Sequence, residues 1–338
     1  MAARCEAIPA FKKLQMKFGG YRMRYAWVSQ RGYYPDEMEK ANQDAHVEVE
    51  NFMADEGAED LHLFGVFDGH GKTGDHCAGY VRDQLPGLLK AKCKEHPQDF
   101  EKAYKEAFIQ VNEGLHKSSI DDSLSGTTAI VVLFEGGTIH VANVGDSRTV
   151  LYRRKGAPLM LTDEHKASLE SERQRVAAAG GDTVQRTQEV PGVCCFPGKV
   201  EKLGPVRVQP GGLAVSRAFG AGHAKLAEHG GKPGVVIHEP SVQRATLSAD
   251  DDLCLVLASD GVWDNVKRLA DLSADLRTQI LQAEQYRAVA RHAAEAVVGY
   301  ALRHAVNEGQ QDNTTALVVV LGAQAELALS EHRGGGDG

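Results

Sequence analysis

Two runs rich in β-branched residues, Thr128–Glu135 and Thr138–Val144, are separated by Gly136-Gly137 alone. Two glycines permit the positive φ angles of a primed two-residue turn, so the runs predict a β-hairpin and with it antiparallel sheet. Five further stretches of strand length are rich in Val, Ile and Leu or alternate: His46–Glu50, Leu61–Phe67, Thr149–Arg153, Leu253–Ser259 and Ala316–Leu321. Helical spacing enters around them. Phe100, Tyr104, Phe108, Val111 and Leu115 form one apolar stripe at intervals of three and four. Asp75–Lys92 carries a second stripe, which Pro86 is expected to kink or divide. A third helix is expected over 167–179, stopped by Gly180-Gly181, and a fourth over 283–306. Strands in the middle with helices arriving in pairs predict an α+β fold, in which a central β-sandwich of two antiparallel sheets is flanked by pairs of α-helices.

The expected domain organisation is an N-terminal extension over 1–24, one catalytic domain over 25–324 and a flexible tail over 325–338 that ends in glycines. Residues 182–212 hold Pro191, Pro197 and Pro210 among their prolines and no clean period, and read as a long loop or flap over a site, or as an exposed insertion without function.

Charge and sorting signals narrow the function. The 338 residues carry a net charge of −8 without a long basic run, which argues against nucleic acid as a partner. No stretch approaches the roughly 18 apolar residues of a membrane span. Met1-Ala2-Ala3-Arg4 opens no apolar signal core, and the six cysteines contain no C-x-x-C pair. The expectation is a soluble monomer of the cytoplasm or nucleus with reduced thiols.

The chemistry is concentrated in aspartates beside glycines at the ends of the strand runs. They are Asp68-Gly69-His70-Gly71, Gly145-Asp146-Ser147, Asp260-Gly261-Val262-Trp263-Asp264 and Asp312-Asn313, with Asn42-Gln43-Asp44 ahead of another strand. One such Asp is ordinarily a turn residue. Several converging at one end of a sheet repel each other and raise one another's pKa unless cations neutralise them. Oxygen-only ligation suits Mg²⁺ or Mn²⁺ rather than Zn²⁺. Two such ions about 3.5–4 Å apart can activate a bridging water and clamp a phosphoryl group in line, so phosphate-ester hydrolysis is the reaction the pattern suits.

These segments resemble the type 2C metal-dependent protein phosphatases (PPM family). The resemblance runs in order through Asn42-Gln43-Asp44-Ala45-His46, Val66-Phe67-Asp68-Gly69-His70-Gly71, Ser125-Gly126-Thr127-Thr128-Ala129, Ala142-Asn143-Val144-Gly145-Asp146-Ser147-Arg148, Leu213-Ala214-Val215-Ser216-Arg217-Ala218-Phe219-Gly220, Leu257-Ala258-Ser259-Asp260-Gly261-Val262-Trp263-Asp264 and Asp312-Asn313-Thr314-Thr315. It implies a protein serine/threonine phosphatase that hydrolyses phosphoserine and phosphothreonine in protein substrates by attack of a water bridging two Mg²⁺ or Mn²⁺ ions. Asp68 is then the carboxylate shared by both metals, joined by the Gly69 carbonyl, Asp260 and Asp312, with Asp44 acting through ordered water. His70 is the acid that protonates the leaving oxygen. Asp146 and Asp264, with Asp260, match a third, weaker metal site.

Two positions depart from the family pattern. Gln43 stands where Glu is common, and Glu39 where many members place a phosphate-binding arginine. Arg31 could grip phosphate from the loop before it or be a solvated loop charge, and Lys40 is a second candidate. Arg148 and Arg217 read as structural ion-pair or packing residues, and Cys194-Cys195 as packing in the flap or a redox pair. A catalytically silent scaffold of the same fold would have lost metal ligands, whereas Asp68, Asp260, Asp312 and His70 are all present. A hydrolase of small phosphoesters remains the other alternative, since the loops and not the fold choose the substrate.

Overall fold

The computed structural model describes residues 5–7, 13–15, 21–54, 61–190, 199–248, 250–281, 289–305 and 311–323. Its elements along the chain are β1 (Cys5–Ala7), β2 (Lys13–Gln15), β3 (Tyr21–Gln30), β4 (Asp44–Val49), β5 (Leu61–His70), α1 (Gly74–Glu95), α2 (Phe100–Lys117), β6 (Gly126–Thr127), β7 (Ala129–Glu135), β8 (Thr138–Val144), β9 (Arg148–Arg153) and β10 (Leu159–Met160). They continue as α3 (Glu170–Ala178), β11 (Asp182–Val190), β12 (Lys199–Gln209), β13 (Phe219–Gly220), α4 (Gly222–Lys225), β14 (Ser241–Thr246), β15 (Asp252–Ala258), α5 (Asp260–Trp263), α6 (Leu269–Leu281), α7 (Val289–Arg303) and β16 (Thr314–Ala323).

The strands form two seven-stranded sheets and one two-stranded ribbon. The first sheet runs β1-β3-β16-β15-β9-β10 with β2 also on β3, and the second runs β13-β6-β5-β7-β8-β14 with β4 also on β5. All pairings are antiparallel. Glu135 pairs with Thr138 around Gly136, whose φ of 55° is the turn that the two glycines predict.

Alternation along the central strands sorts their side chains between two layers. Leu255 and Leu257 of β15 and Leu317, Val319 and Leu321 of β16 meet Phe64, Val66, Ile130 and Val132 between the sheets. Cys254, Val256, Val318 and Val320 face outward onto α6 and α7. On the other side, Leu63, Phe67, Val131 and Leu133 pack against Val81, Leu85, Tyr104 and Phe108 of α1 and α2. Strands apolar on both faces are what a helix–sheet–sheet–helix stack demands, since each sheet is covered twice.

Several sequence expectations change in detail. Pro86 does not divide its helix: α1 is continuous, with Val81, Leu85, Leu89 and Cys93 buried on either side of it. That packing holds the helix together across the missing N–H. The first core strand starts at Tyr21, inside the stretch read as an extension, and β1 and β2 pair with it. The stretch read as a loop over 182–212 contains the ribbon β11–β12, with Asp182 opposite Gln209 and Val190 opposite Lys199. The helix expected over 283–306 is α7, and a further helix that was not expected, α6, precedes it. Cys194-Cys195 and the tail over 325–338 lie outside the described residues. Among the described residues no helix is long and apolar enough to cross a membrane.

Candidate metal centre

Each sheet delivers two aspartates to the same end of the sandwich. In the second sheet, β4 begins at Asp44 and β5 passes Asp68, and the two are direct cross-strand partners. In the first sheet, β15 ends at Ala258 just before Asp260, and β16 begins just after Asp312. Ser259 joins the halves: its Oγ donates to Asp44 Oδ2 at 2.8 Å and accepts from the Thr315 amide at 3.1 Å. Asp312 is held by the Tyr34 hydroxyl at 2.5 Å and by the Asn313 amide at 2.8 Å.

Gly69 is where β4, β5 and α1 converge. Its amide donates to the Gln43 carbonyl at 3.1 Å, and a Cβ there would lie 2.2 Å from the Gly74 carbonyl oxygen. Gln43 Nε2 in turn donates to the Gly71 carbonyl at 2.6 Å. The amide that replaces the more common acid at this position thus braces the turn after Asp68.

The electrostatics are those of carboxylates without a counter-charge. Burial first, and then Asp260, Asp44, Asp312 and Asp146, push Asp68 well above the usual carboxylate range. Burial, followed by Asp146, Asp312 and Asp264, does the same to Asp260. Asp44 is raised to about 6 by burial and Asp312, against the opposing hydrogen bonds from Thr315 and Ser259. Its Oδ1 is buried without a hydrogen-bond partner. Among the described residues, no lysine or arginine bridges to Asp44, Asp68, Asp260 or Asp312. A set of hard, mutually repelling oxygens with an orphaned lone pair fits divalent cations. Among the described residues, three ligand atoms within 4.8 Å of one another occur only at Glu95, His96 and Glu106, where Lys92 Nζ lies 2.7 Å from Glu95 and already supplies a cation. The central aspartates are spaced more widely, which leaves room for the water that Mg²⁺ keeps in its shell.

The remaining candidates are distributed around this centre. Asp146 is buried and raised to about 6, chiefly by burial and against the pull of Lys166, while Lys166 Nζ sits 3.1 Å from both Asp264 and Glu164. The chain's own cation therefore stands beside the residues matched to a third metal. His70 lies at the end of β5 with its Nε2 buried and unpartnered, and burial together with Lys225 and His223 lowers its pKa to about 4. Arg31 donates through Nε to the Lys40 carbonyl and through Nη2 to those of Glu37 and Met38, so it staples its own loop. Lys40 Nζ stands 3.8 Å over the ring of Tyr34, whose hydroxyl grips Asp312. Arg148 pairs with Glu164 at 2.9 Å and Arg217 with Glu172 at 2.6 Å.

Tyr34 and Ser259 are the residues that sequence reasoning did not single out. Both act through hydrogen bonds that span more than 200 positions of chain, and although Ser259 lies in a matching segment, nothing local assigns either residue its partner.

Comparison with known proteins identifies the family of the fold. Residues 35–313 match the family model described as protein phosphatase 2C. The chain is 40% identical over 261 residues to probable protein phosphatase 2C 35 of Arabidopsis thaliana, covering 72% of this chain and 70% of the relative. It is 29% identical over 303 residues to probable protein phosphatase 2C 27 of Oryza sativa subsp. japonica, covering 87% and 75%. In fold it is similar to the crystal structure of a serine-threonine phosphatase 2C from Toxoplasma gondii, with a TM-score of 0.67 at 19% identity over 95% of this chain and all of the other.

Proposed function

The chain belongs to the protein phosphatase 2C family and is a protein serine/threonine phosphatase, and from that premise we propose that two Mg²⁺ or Mn²⁺ ions serve its reaction, held by Asp68, the Gly69 carbonyl, Asp260 and Asp312. The carrying observation is that two pairs of aspartates, one from each sheet, face one another with no basic side chain of the described residues to neutralise them. When bound, the cations supply Lewis acidity that activates a water and draws charge off the phosphoryl oxygens.

The chain's own residues do the rest. Asp68 belongs to both halves of the centre, since it pairs with Asp44 across β4 and β5 and is repelled most strongly by Asp260. Asp44, fixed by Ser259, orients water through its free Oδ1. Lys40 meets the phosphoryl group from above Tyr34, while Arg31 shapes the loop that presents it. His70 gives a proton to the serine or threonine oxygen as it leaves. In the unliganded protein, burial and its cationic neighbours disfavour the imidazolium. A seated phosphoryl dianion opposes that bias and makes His70 an acid only when there is a substrate to cleave.

The test combines turnover with binding. Phosphate release from a phosphothreonine peptide is measured with and without Mn²⁺ or Mg²⁺, for the unaltered protein, Asp68→Ala and Asp260→Ala, and melting temperature is followed as Mn²⁺ is added. Expected are cation-dependent release and a melting temperature that climbs with cation, reflecting a stabilisation of about 2.7 kcal/mol at a hundred times Kd, both lost in the variants. Release that persists in chelator would remove the metal reading. A cation-stabilised protein that releases no phosphate would instead be the silent scaffold.

A further inference from the structure

Leu124 is an exposed leucine in a loop that is not free to move. Its side chain is 65% exposed, yet Asp122 and Ser125 on either side are buried. The Ser125 carbonyl accepts from the Ala221 amide at 2.8 Å, that of Ser123 from His223 at 2.8 Å, and that of Asp122 from Gly222 at 3.0 Å. Ser125 Oγ accepts from the Thr73 amide at 3.1 Å, and Asp122 pairs with His116 at 2.6 Å. The Leu124 carbonyl lies 2.4 Å from where a Cβ of Gly71 would be, one residue beyond His70. His70 itself lies along Gly126, with Nε2 2.9 Å from that residue's Cβ position.

A solitary leucine on a surface ordinarily needs no explanation. Here the placement is not scattered. Of the ten large hydrophobic side chains most exposed among the described residues, Leu124 lies on the loop packed against Gly71, and Tyr33 and Met38 lie on the loop between β3 and β4. Tyr33 is paired with Gln311, next to Asp312, and Met38 belongs to the loop that Arg31 staples. Leu124 thus stands on hydrogen-bonded backbone against Gly71, one residue from His70, and Tyr33 on backbone paired next to Asp312.

We infer that Leu124 is a specificity-determining residue, which receives an apolar side chain of the protein substrate one or two positions from the phosphorylated serine or threonine. A rigid platform loses little conformational freedom on contact, so the apolar area it covers converts into preference rather than into ordering cost. The inference rests on the phosphatase reading above, whose own failure would show as no turnover of p-nitrophenyl phosphate, a substrate without flanking residues.

The experiment uses phosphothreonine peptides that differ only in having Leu or Gln, both uncharged and of similar size, at each of the two positions on either side. With Mn²⁺ present, kcat/KM is measured for the full chain, Leu124→Ser, Leu124→Gln and Leu124→Met, and rates are normalised to p-nitrophenyl phosphate turnover. The unaltered protein prefers Leu over Gln by about ten-fold at one of these positions. The preference falls to within two-fold of unity in both polar variants, through KM rather than kcat, and is kept by Leu124→Met. A ratio near unity in the unaltered protein at all four positions overturns the inference. So does a preference that survives in either polar variant.

Discussion

Two groups of buried carboxylates in this molecule stand in opposite electrostatic conditions. Glu172, in the small core around Ala167, Val176, Val215 and Val235, is covered by partners: Arg217 Nη2 at 2.6 Å and Nε at 3.1 Å, Arg175 Nε at 3.0 Å and Ser216 Oγ at 2.6 Å. Burial alone would raise its pKa, but Arg217, Ser216 and Arg175 together drive it down to about 2. Asp68 is driven up by burial and then by Asp260, and Asp260 by burial and then by Asp146 and Asp312. The first cluster is complete as folded and ties α3 to the segment carrying Ser216 and Arg217. The second is incomplete as folded, and the cations proposed above would complete it.

Neutralising one acid in each cluster therefore has opposite consequences. Asp68→Asn should lower kcat on a phosphothreonine peptide by about 10³-fold or more, about 4 kcal/mol of transition-state stabilisation. The same change should raise the melting temperature in chelator, because a repelling charge has gone. A lower melting temperature in chelator would mean that the aspartates support the fold and that the two clusters are alike. Glu172→Gln should cost about 3 kcal/mol of stability at neutral pH, with two guanidinium groups left short of their partner. The sign follows from a folded pKa of about 2 against an ordinary 4.5. The ion-paired stability is fully present above about 4.5 and is lost as pH falls toward 2. Denaturation of both proteins at pH 7 and pH 3 should therefore show the gap narrowing in acid, and a gap that does not change with pH would assign the cost to packing.

Smaller effects sharpen the picture. His70→Asn should slow peptide hydrolysis by about 10²-fold and aryl phosphate hydrolysis much less, because a phenolate leaves without needing a proton. Equal losses on both substrates would give His70 a positioning role. At the bottom of the scale, Lys117→Gln removes an exposed pair with Glu113, 3.6 Å apart with side chains 78% and 58% exposed, and should leave the melting curve unmoved.

The two clusters also differ in how visible they are in the chain. The aspartates announce themselves because metal-type chemistry is packed into short Asp-Gly strings at the ends of apolar runs, and strands buried on both faces leave dense Val, Ile and Leu. Glu172 does not, since its partners come from two separate segments: Arg217 reads as an ion-pair residue in the sequence, but nothing there names Glu172 as its partner. The ribbon β11–β12 escaped for a related reason: Val184, Val200 and Leu203 are exposed, so no burial period is written into it, and its prolines and glycines mimic a loop. The helix α6 is different, because Leu269, Leu272, Leu276 and Ile280 do keep helical spacing and that signal was available.

The crowding at Gly69 sets a limit on inheritance as well as on shape. A single methyl there would collide with the carbonyls of Gly74 and Gln43 while every acid and His70 stayed in place. A descendant of this chain could therefore fall silent with its full complement of ligands intact. In this chain the aspartates therefore count toward a site only together with the glycine between Asp68 and His70.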